Sequence, residues 1–318
     1  MSLVLLRKDR CSLSRVQPTA PAADALPRSA LYSCLMQRTC TVGNISIGTG
    51  KPLAIIAGPC VLESFEHGLA IGTLVRDACR TLGLSYIFKA SFDKANRSSI
   101  RSPRGPGLEK GLEWIHQIGQ RLGVPTTTDI HEPEQAAHVA QAIDLIQIPA
   151  FLCRQTDLLL AAGEAAAKHS RGVNVKKGQF LSPVEMGGAV RKLTEAGCAN
   201  VMLTERGTFF GYHRLVNDFL GLGDLMELKS DGGSPPVCFD CTHSTQLPGS
   251  GEQTGGRPDR APLLARAATA AGVQALFIEC HPEPAKSLSD SSTVLPLDTM
   301  PGLLKTIAAI RNATNATV

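Results

Sequence analysis

Eight short apolar runs recur along the chain: Leu53–Ala57, Tyr86–Phe88, Thr126–Thr128, Leu145–Ile148, Val173–Val175, Val201–Leu203, Val237–Phe239 and Ala275–Ile278. Each has the length of a strand, and segments of helical character separate them, as a parallel sheet covered by helices requires. Nearly every run is closed by a residue with chemistry: Cys60, Lys89, Asp129, Gln147, Lys176, Arg206, Asp240 with His243, and Glu279. Eight such units predict an α/β fold, a single (β/α)8 TIM barrel, whose reactive residues sit at the C-terminal ends of the strands.

Helices are expected where caps and period agree. Leu108, Leu112, Ile115, Ile118 and Leu122 repeat at helical spacing and leave Glu109, Lys110, Glu113 and Arg121 for solvent. Ser182-Pro183-Val184-Glu185 is a capping box with proline at the first helical position, and the helix it starts should stop at Gly197. Further helices should follow His131-Glu-Pro133, Gln155-Thr-Asp157 and Arg260, the last ending at Gly272. Ile45-Ser-Ile47, between glycines, predicts a short N-terminal hairpin closing the barrel floor. Two stretches break the rhythm, Leu247–Arg260 and His281–Met300. Both follow strands on the face where loops build the site, which marks them as lid candidates.

The 318 residues show no linker that would divide them, so residues 41–318 are expected to form the barrel domain. Residues 1–40 differ in character, with Arg7, Lys8, Arg10, Arg15, Arg28 and Arg38 against Asp9 and Asp24. They are expected to be a disordered extension, or to precede a working start near Met36, with a transit peptide as the alternative. A hydrophobic content of 43% supports a large core, and no apolar run approaches the ~20 residues that span a bilayer. A net charge of +4 and 4% aromatics argue against a nucleic-acid surface and leave small acidic molecules as the expected partners. The ten cysteines are scattered, which suits reduced thiols in a cytoplasmic protein. Cys238 and Cys241 are three residues apart on a strand, so their thiols should point apart rather than share a metal.

The densest polar segment leaves the second run. Lys89, Lys94, Arg97, Arg101 and Arg104, interleaved with hydroxyls and glycines, are suited to surrounding phosphate, although a solvated loop has the same composition. Lys176 and Arg206 favour phosphate, because a barrel brings distant strand ends onto one rim. Cys60, His243, Glu279 and Asp290 form a second set. Thiolate, imidazole and carboxylate together suit a first-row divalent ion such as Zn, Fe or Mn, while a buried thiol and a structural histidine are the plainer alternative.

The segments Ile56–Ser64, Phe88–Ser99, Arg104–Gly107, Thr128–Pro133, Gln147–Phe151, Arg154–Asp157, Asn174–Lys177, Glu205–Gly207, Phe210–Tyr212, Asp240–His243 and Phe277–Pro282 closely resemble the 3-deoxy-D-manno-octulosonate 8-phosphate synthases, the KDO-8-phosphate synthases. The resemblance covers roughly Ile45 to Ile310, and Lys94-Ala-Asn-Arg-Ser98 is its discriminating run. It implies a (β/α)8 barrel, usually a homotetramer, that condenses phosphoenolpyruvate with D-arabinose 5-phosphate and water for lipopolysaccharide biosynthesis. By the same resemblance, Lys89, Lys94, Lys176 and Arg206 would hold phosphoenolpyruvate. Asn96, Arg97 and Ser98 would contact arabinose 5-phosphate, Arg154 would reach its phosphate from a neighbouring subunit, Asp129 would lie near the sugar, and Gln147 with the Pro149-Ala150 backbone would line the pocket. Cysteine rather than asparagine at Cys60, together with His243, Glu279 and the run ending at Asp290, resembles the metal-dependent branch.

Two alternatives are carried forward. The related synthase that makes 3-deoxy-D-arabino-heptulosonate 7-phosphate from erythrose 4-phosphate would be expected to carry lysine-proline-arginine-threonine where this chain has Lys94-Ala-Asn-Arg97. A non-catalytic phosphosugar-binding barrel would keep the cations but would not need all four metal-ligand candidates.

Overall fold

Each of the eight runs becomes a strand in the computed structural model, which describes residues 37–96, 102–211, 213–249 and 254–315. The strands are β1 (Ala54–Gly58), β2 (Ser85–Lys89), β3 (Thr126–Asp129), β4 (Leu145–Ile148), β5 (Gly172–Lys176), β6 (Val201–Glu205), β7 (Val237–Asp240) and β8 (Ala275–His281). Neighbours pair in parallel from β1 round to β8, and β8 pairs back onto β1 through Ala275↔Ala54 to Glu279↔Gly58. The sheet is therefore a closed barrel with no free edge. Helices α1 (Phe65–Thr81), α2 (Leu108–Leu122), α3 (Gln135–Ala142), α4 (Thr156–His169), α5 (Gly187–Glu195), α6 (Phe219–Met226), α7 (Ala261–Ala271) and α8 (Met300–Asn315) follow the strands in turn. The chain divides into two units, Met1–Cys34 and Leu35–Val318, the first lying outside the described residues.

Strand alternation sorts the side chains into two cores. Ile55, Ala57, Phe88, Ile146, Val173, Leu203, Phe239 and Ile278 face outward and pack with the helices. Ala54, Ile56, Ile87, Leu145, Met202, Cys238, Ala275 and Phe277 fill the inside of the barrel, where Cys40, Val42 and Ile47 join them. Those last three belong to an antiparallel hairpin, Cys40–Val42 with Ile45–Ile47, turned at Gly43 with φ +55°. It caps the end where the strands begin, as the glycine-bounded Ile45-Ser-Ile47 predicts. Cys238 belongs to the inner core and Cys241 to the outer one, so the two thiols do point apart.

Continuing the inward parity up each strand gives Lys89, Asp129, Gln147, Lys176, Asp240 and Glu279. The inside thus changes from apolar at the floor to charged at the mouth. Between the two lies a buried polar relay in which Thr204 Oγ1 donates to Asn174 Oδ1 (2.7 Å) and Asn174 Nδ2 donates to Gln147 Oε1 (3.2 Å).

The α2 helix buries Leu112, Ile115, Ile118 and Leu122 as expected and ends at Gly123 in the left-handed region. The capping box at Ser182 is present, but Pro183–Met186 forms a 3-10 turn and α5 starts only at Gly187. Paired glycines at 187 and 188 weaken the continuous α-helix there.

Gly58 sits at the end of β1, where an added Cβ would lie 2.0 Å from the backbone oxygen of Lys89. Gly58→Ala is expected to force β1 and β2 apart and cost about 1–3 kcal/mol of stability. A lower denaturation midpoint checks this, and an unchanged one would show that the strands shift freely.

Candidate active site

The loop after β1 brings Cys60 to the mouth, where its thiol donates to Asp290 Oδ2 at 3.0 Å across 230 residues of sequence. Glu279, on β8, completes a group of three whose ligand-type atoms all lie within 4.8 Å of one another. His243 stands beside them, with Nε2 3.5 Å from Glu279 Oε2. Its Nδ1–H donates to Asp240 Oδ2 at 2.8 Å, which places the ring proton on Nδ1 and leaves the Nε2 lone pair open toward the group. Glu279 Oε2 is buried with no hydrogen bond. A buried carboxylate oxygen without a donor, an open imidazole nitrogen, a thiol and a second carboxylate are a donor set that fits a first-row divalent ion.

The cations converge on the same place. Lys89, 1% exposed, ion-pairs with Glu279 Oε1 and donates to the backbone oxygen of Cys60 (2.8 Å). Lys176 Nζ meets Asp240 Oδ2 at 2.7 Å, so Asp240 serves Lys176 and His243 together. Lys94 and Arg206 differ, because among the described residues their side chains are held by neutral partners. Lys94 donates to Ser91 Oγ (2.9 Å), and Arg206 Nη2 donates to Gln246 Oε1, whose Nε2 donates on to Asp290 Oδ1 (3.2 Å). Arg206 Nη1 is buried without a partner.

The electrostatics follow from this crowding. Burial raises the Cys60 thiol well above its ordinary range, and Asp290 and Glu279 push it further. Burial would also raise Glu279 and Asp290, but it is outweighed: Lys89 and, when its ring is protonated, His243 lower the first, and protonated His243 and Lys94 the second. Asp129 is held far below the carboxylate range against burial, chiefly by Lys94 and by His131, whose Nε2–H donates to Asp129 Oδ2 at 3.1 Å. Four cations, Lys89, Lys94, Lys176 and Arg206, thus face four carboxylates, Asp129, Asp240, Glu279 and Asp290. Their formal charges cancel, and a dication would give the mouth the positive excess that anionic substrates need.

Not every expected residue joins this cluster. Gln147 lies below it in the polar relay. Asn96 is exposed at the end of a described segment, while Arg97, Ser98 and Arg101 lie outside the described residues. Arg154 is exposed, with its backbone oxygen accepting from Lys192 (3.0 Å). The described parts of the two lid candidates are tied down: Ser292 Oγ donates to the oxygen of Thr254 (2.8 Å), and Leu295–Pro296 pairs with Cys280–His281. The second supplies Asp290, whose backbone φ of +51° is unusual for a residue with a side chain, and Gln246 immediately precedes the first. Asp240 and Gln246 are the site residues without an assigned role in the sequence. Asp240 shares the inward parity of Cys238 and is three residues before His243, which was a usable signal; Gln246 depends on the loop's path and had none.

The DAHP synthetase I family profile matches residues 26–315. A 2-dehydro-3-deoxyphosphooctonate aldolase of Nitratidesulfovibrio vulgaris is 52% identical over 257 residues, covering 80% of this chain and 91% of its own. Proteins of the same name from a Cyanothece species and from Rhodopseudomonas palustris are 50% identical over 271 residues and 49% over 266. These cover 85% and 83% of this chain, and 96% and 90% of their own. With the closed barrel and its charged mouth, this likeness places the chain in the DAHP synthetase I family, among relatives that carry the name 2-dehydro-3-deoxyphosphooctonate aldolase.

Proposed function

We propose that the chain condenses phosphoenolpyruvate with D-arabinose 5-phosphate and water, giving 3-deoxy-D-manno-octulosonate 8-phosphate and inorganic phosphate. The observation that carries this reading is the meeting of Lys94 and Arg206, neither ion-paired among the described residues, with Cys60, Glu279 and Asp290 at the mouth. Arg206 and Lys176 take the phosphate and carboxylate of phosphoenolpyruvate, and Lys89 and Lys94 complete that side. Asn96, Arg97 and Ser98 contact arabinose 5-phosphate, Asp129 lies near the sugar, and Gln147 lines the pocket. Held in line, C3 of phosphoenolpyruvate bonds to the aldehyde carbon, whose oxygen gains a proton, while water adds at C2; the hemiketal phosphate then releases phosphate. Cys60, His243, Glu279 and Asp290 would hold a divalent ion, which supplies Lewis acidity at this mouth when bound.

Cytoplasmic location and a homotetramer belong to the same reading. No helix among the described residues is long and apolar enough to cross a membrane. Phe151, Phe180, Val184, Phe209 and Phe210 are exposed on loops following β4, β5 and β6. Arg154, three residues after Phe151, is exposed on the same stretch and would reach the sugar phosphate of a neighbouring subunit. The product would enter lipopolysaccharide synthesis.

Phosphate release with arabinose 5-phosphate is expected to exceed that with erythrose 4-phosphate by at least about 100-fold in kcat/KM. The reverse preference would restore the heptulosonate reading, and no release with either sugar would favour a binding protein.

A further inference from the structure

Three segments carry Cys60, Glu279 and Asp290, and one side chain on the first of them reaches the other two. Glu63 lies three residues past Cys60, just before the Ser64 cap of α1. Its Oε1 accepts the backbone N–H of Leu288 at 3.1 Å, two residues before Asp290. The same oxygen lies 3.3 Å from Nε2 of His281, two residues after Glu279, an electrostatic contact without hydrogen-bond geometry. We propose that Glu63 is a positioning residue, a clasp that gathers the three segments so that Cys60, Glu279 and Asp290 meet before any ion binds. This rests on reading those three as ligands of the ion.

The clasp has work to do because the Asp290 loop has little structure of its own. Between β8 and Leu295 the described secondary structure is the 3-10 turn Pro284–Lys286. Asp290 also sits at φ +51°, a conformation that costs about 1 kcal/mol or more and must be imposed by its surroundings. Thr293 and Val294 donate to its backbone oxygen from one side (2.8 and 3.1 Å), and Glu63 holds Leu288 on the other.

Glu63, His67 and His281 also have three ligand-type atoms within 4.8 Å of one another, the pattern of a second ion site. The hydrogen bonds of His281 argue otherwise. Its Nδ1 accepts the N–H of Glu283 at 2.9 Å, so the ring proton sits on Nε2, the atom that faces Glu63. A protonated nitrogen is no ligand, whereas it makes a favourable neighbour for a carboxylate. His243 has the opposite arrangement, with its proton on Nδ1.

The test compares wild type, Glu63→Ala and Glu63→Gln in metal-free protein and with Mn2+. Glu63→Ala is expected to speed iodoacetamide labelling of Cys60 and amide exchange across 283–294 in the absence of metal. It should also weaken Mn2+ binding by about 10–100-fold, the usual effect of losing a group that orients ligands. Glu63→Gln should fall between the two, since its amide oxygen still accepts from Leu288. Labelling and exchange that stay at wild-type rates in both variants would overturn the clasp. Two Mn2+ per wild-type chain, falling to one in His67→Ala, would overturn it in favour of a second ion site. If wild type binds no Mn2+ while labelling and exchange still respond to Glu63, the clasp stands and the ligand reading fails.

Discussion

Phosphate release is expected to fall by a factor on the order of 10^3 or more when divalent ions are stripped from the protein, and to return when Mn2+ or Zn2+ is added. The size follows from the several kcal/mol that a bound ion contributes to charge stabilisation, at tenfold per about 1.4 kcal/mol. The direction follows from the geometry. Without an ion, the Cys60 thiol keeps its proton, because it is buried and faces Asp290 and Glu279. Glu279 Oε2 is left buried with no hydrogen bond. Cys60, His243, Glu279 and Asp290 would hold a divalent ion here, with the Cys60 sulfur deprotonated and Glu279 Oε2 given the partner it lacks. The check is an assay in chelator with the residual metal content measured on the same sample. Full turnover by a preparation shown to be metal-free would sink the ligand assignment while leaving the barrel and the cation cluster untouched.

Arg206→Met is expected to lower kcat/KM for phosphoenolpyruvate by about 10^2–10^3-fold, the range seen when one preorganised donor to developing charge is removed. Arg206 is 5% exposed. Burial depresses its affinity for the proton, yet Asp240, Asp290, Glu205 and Glu279 surround it with opposing charge. A guanidinium with one nitrogen on a neutral amide and another unpartnered is poised for an anion, and the planar fork suits phosphate or carboxylate. Arg206→Lys should therefore recover little of the loss, since an ammonium cannot span two oxygens in the same way. Lys176, already bound to Asp240, is a weaker candidate for the first contact. Kinetics at saturating arabinose 5-phosphate, with a denaturation curve for each variant, separate lost binding from lost folding. A folded Arg206→Met with unchanged kcat/KM would remove Arg206 from the substrate site.

The barrel and the direction of its side chains were legible in the chain, because both are local properties. A strand alternates with period two whatever surrounds it, so Ile56 and Ile87 facing inward put Lys89 on the same face. The argument that separates Cys238 from Cys241 is the same, and so is the one that places Glu279 inside and Cys280 in the outer core. The hairpin at the floor and α2 were likewise announced by their own glycines and apolar spacing.

Which charges are already neutralised was decided by the tertiary structure alone. Lys89 and Glu279 are separated by 190 residues, and Lys176 and Asp240 by 64. Their pairing depends on distances across a closed mouth, which no local pattern records. The sequence offered four equivalent cations; the fold divides them into two with carboxylate partners and two held by neutral groups. Gln246 and Asp290 were fixed in the same way, by irregular loops whose course is set by contacts with each other and by a left-handed turn. Period and parity determine where a strand residue points, but a loop residue has neither, and its position exists only once the barrel has closed around it.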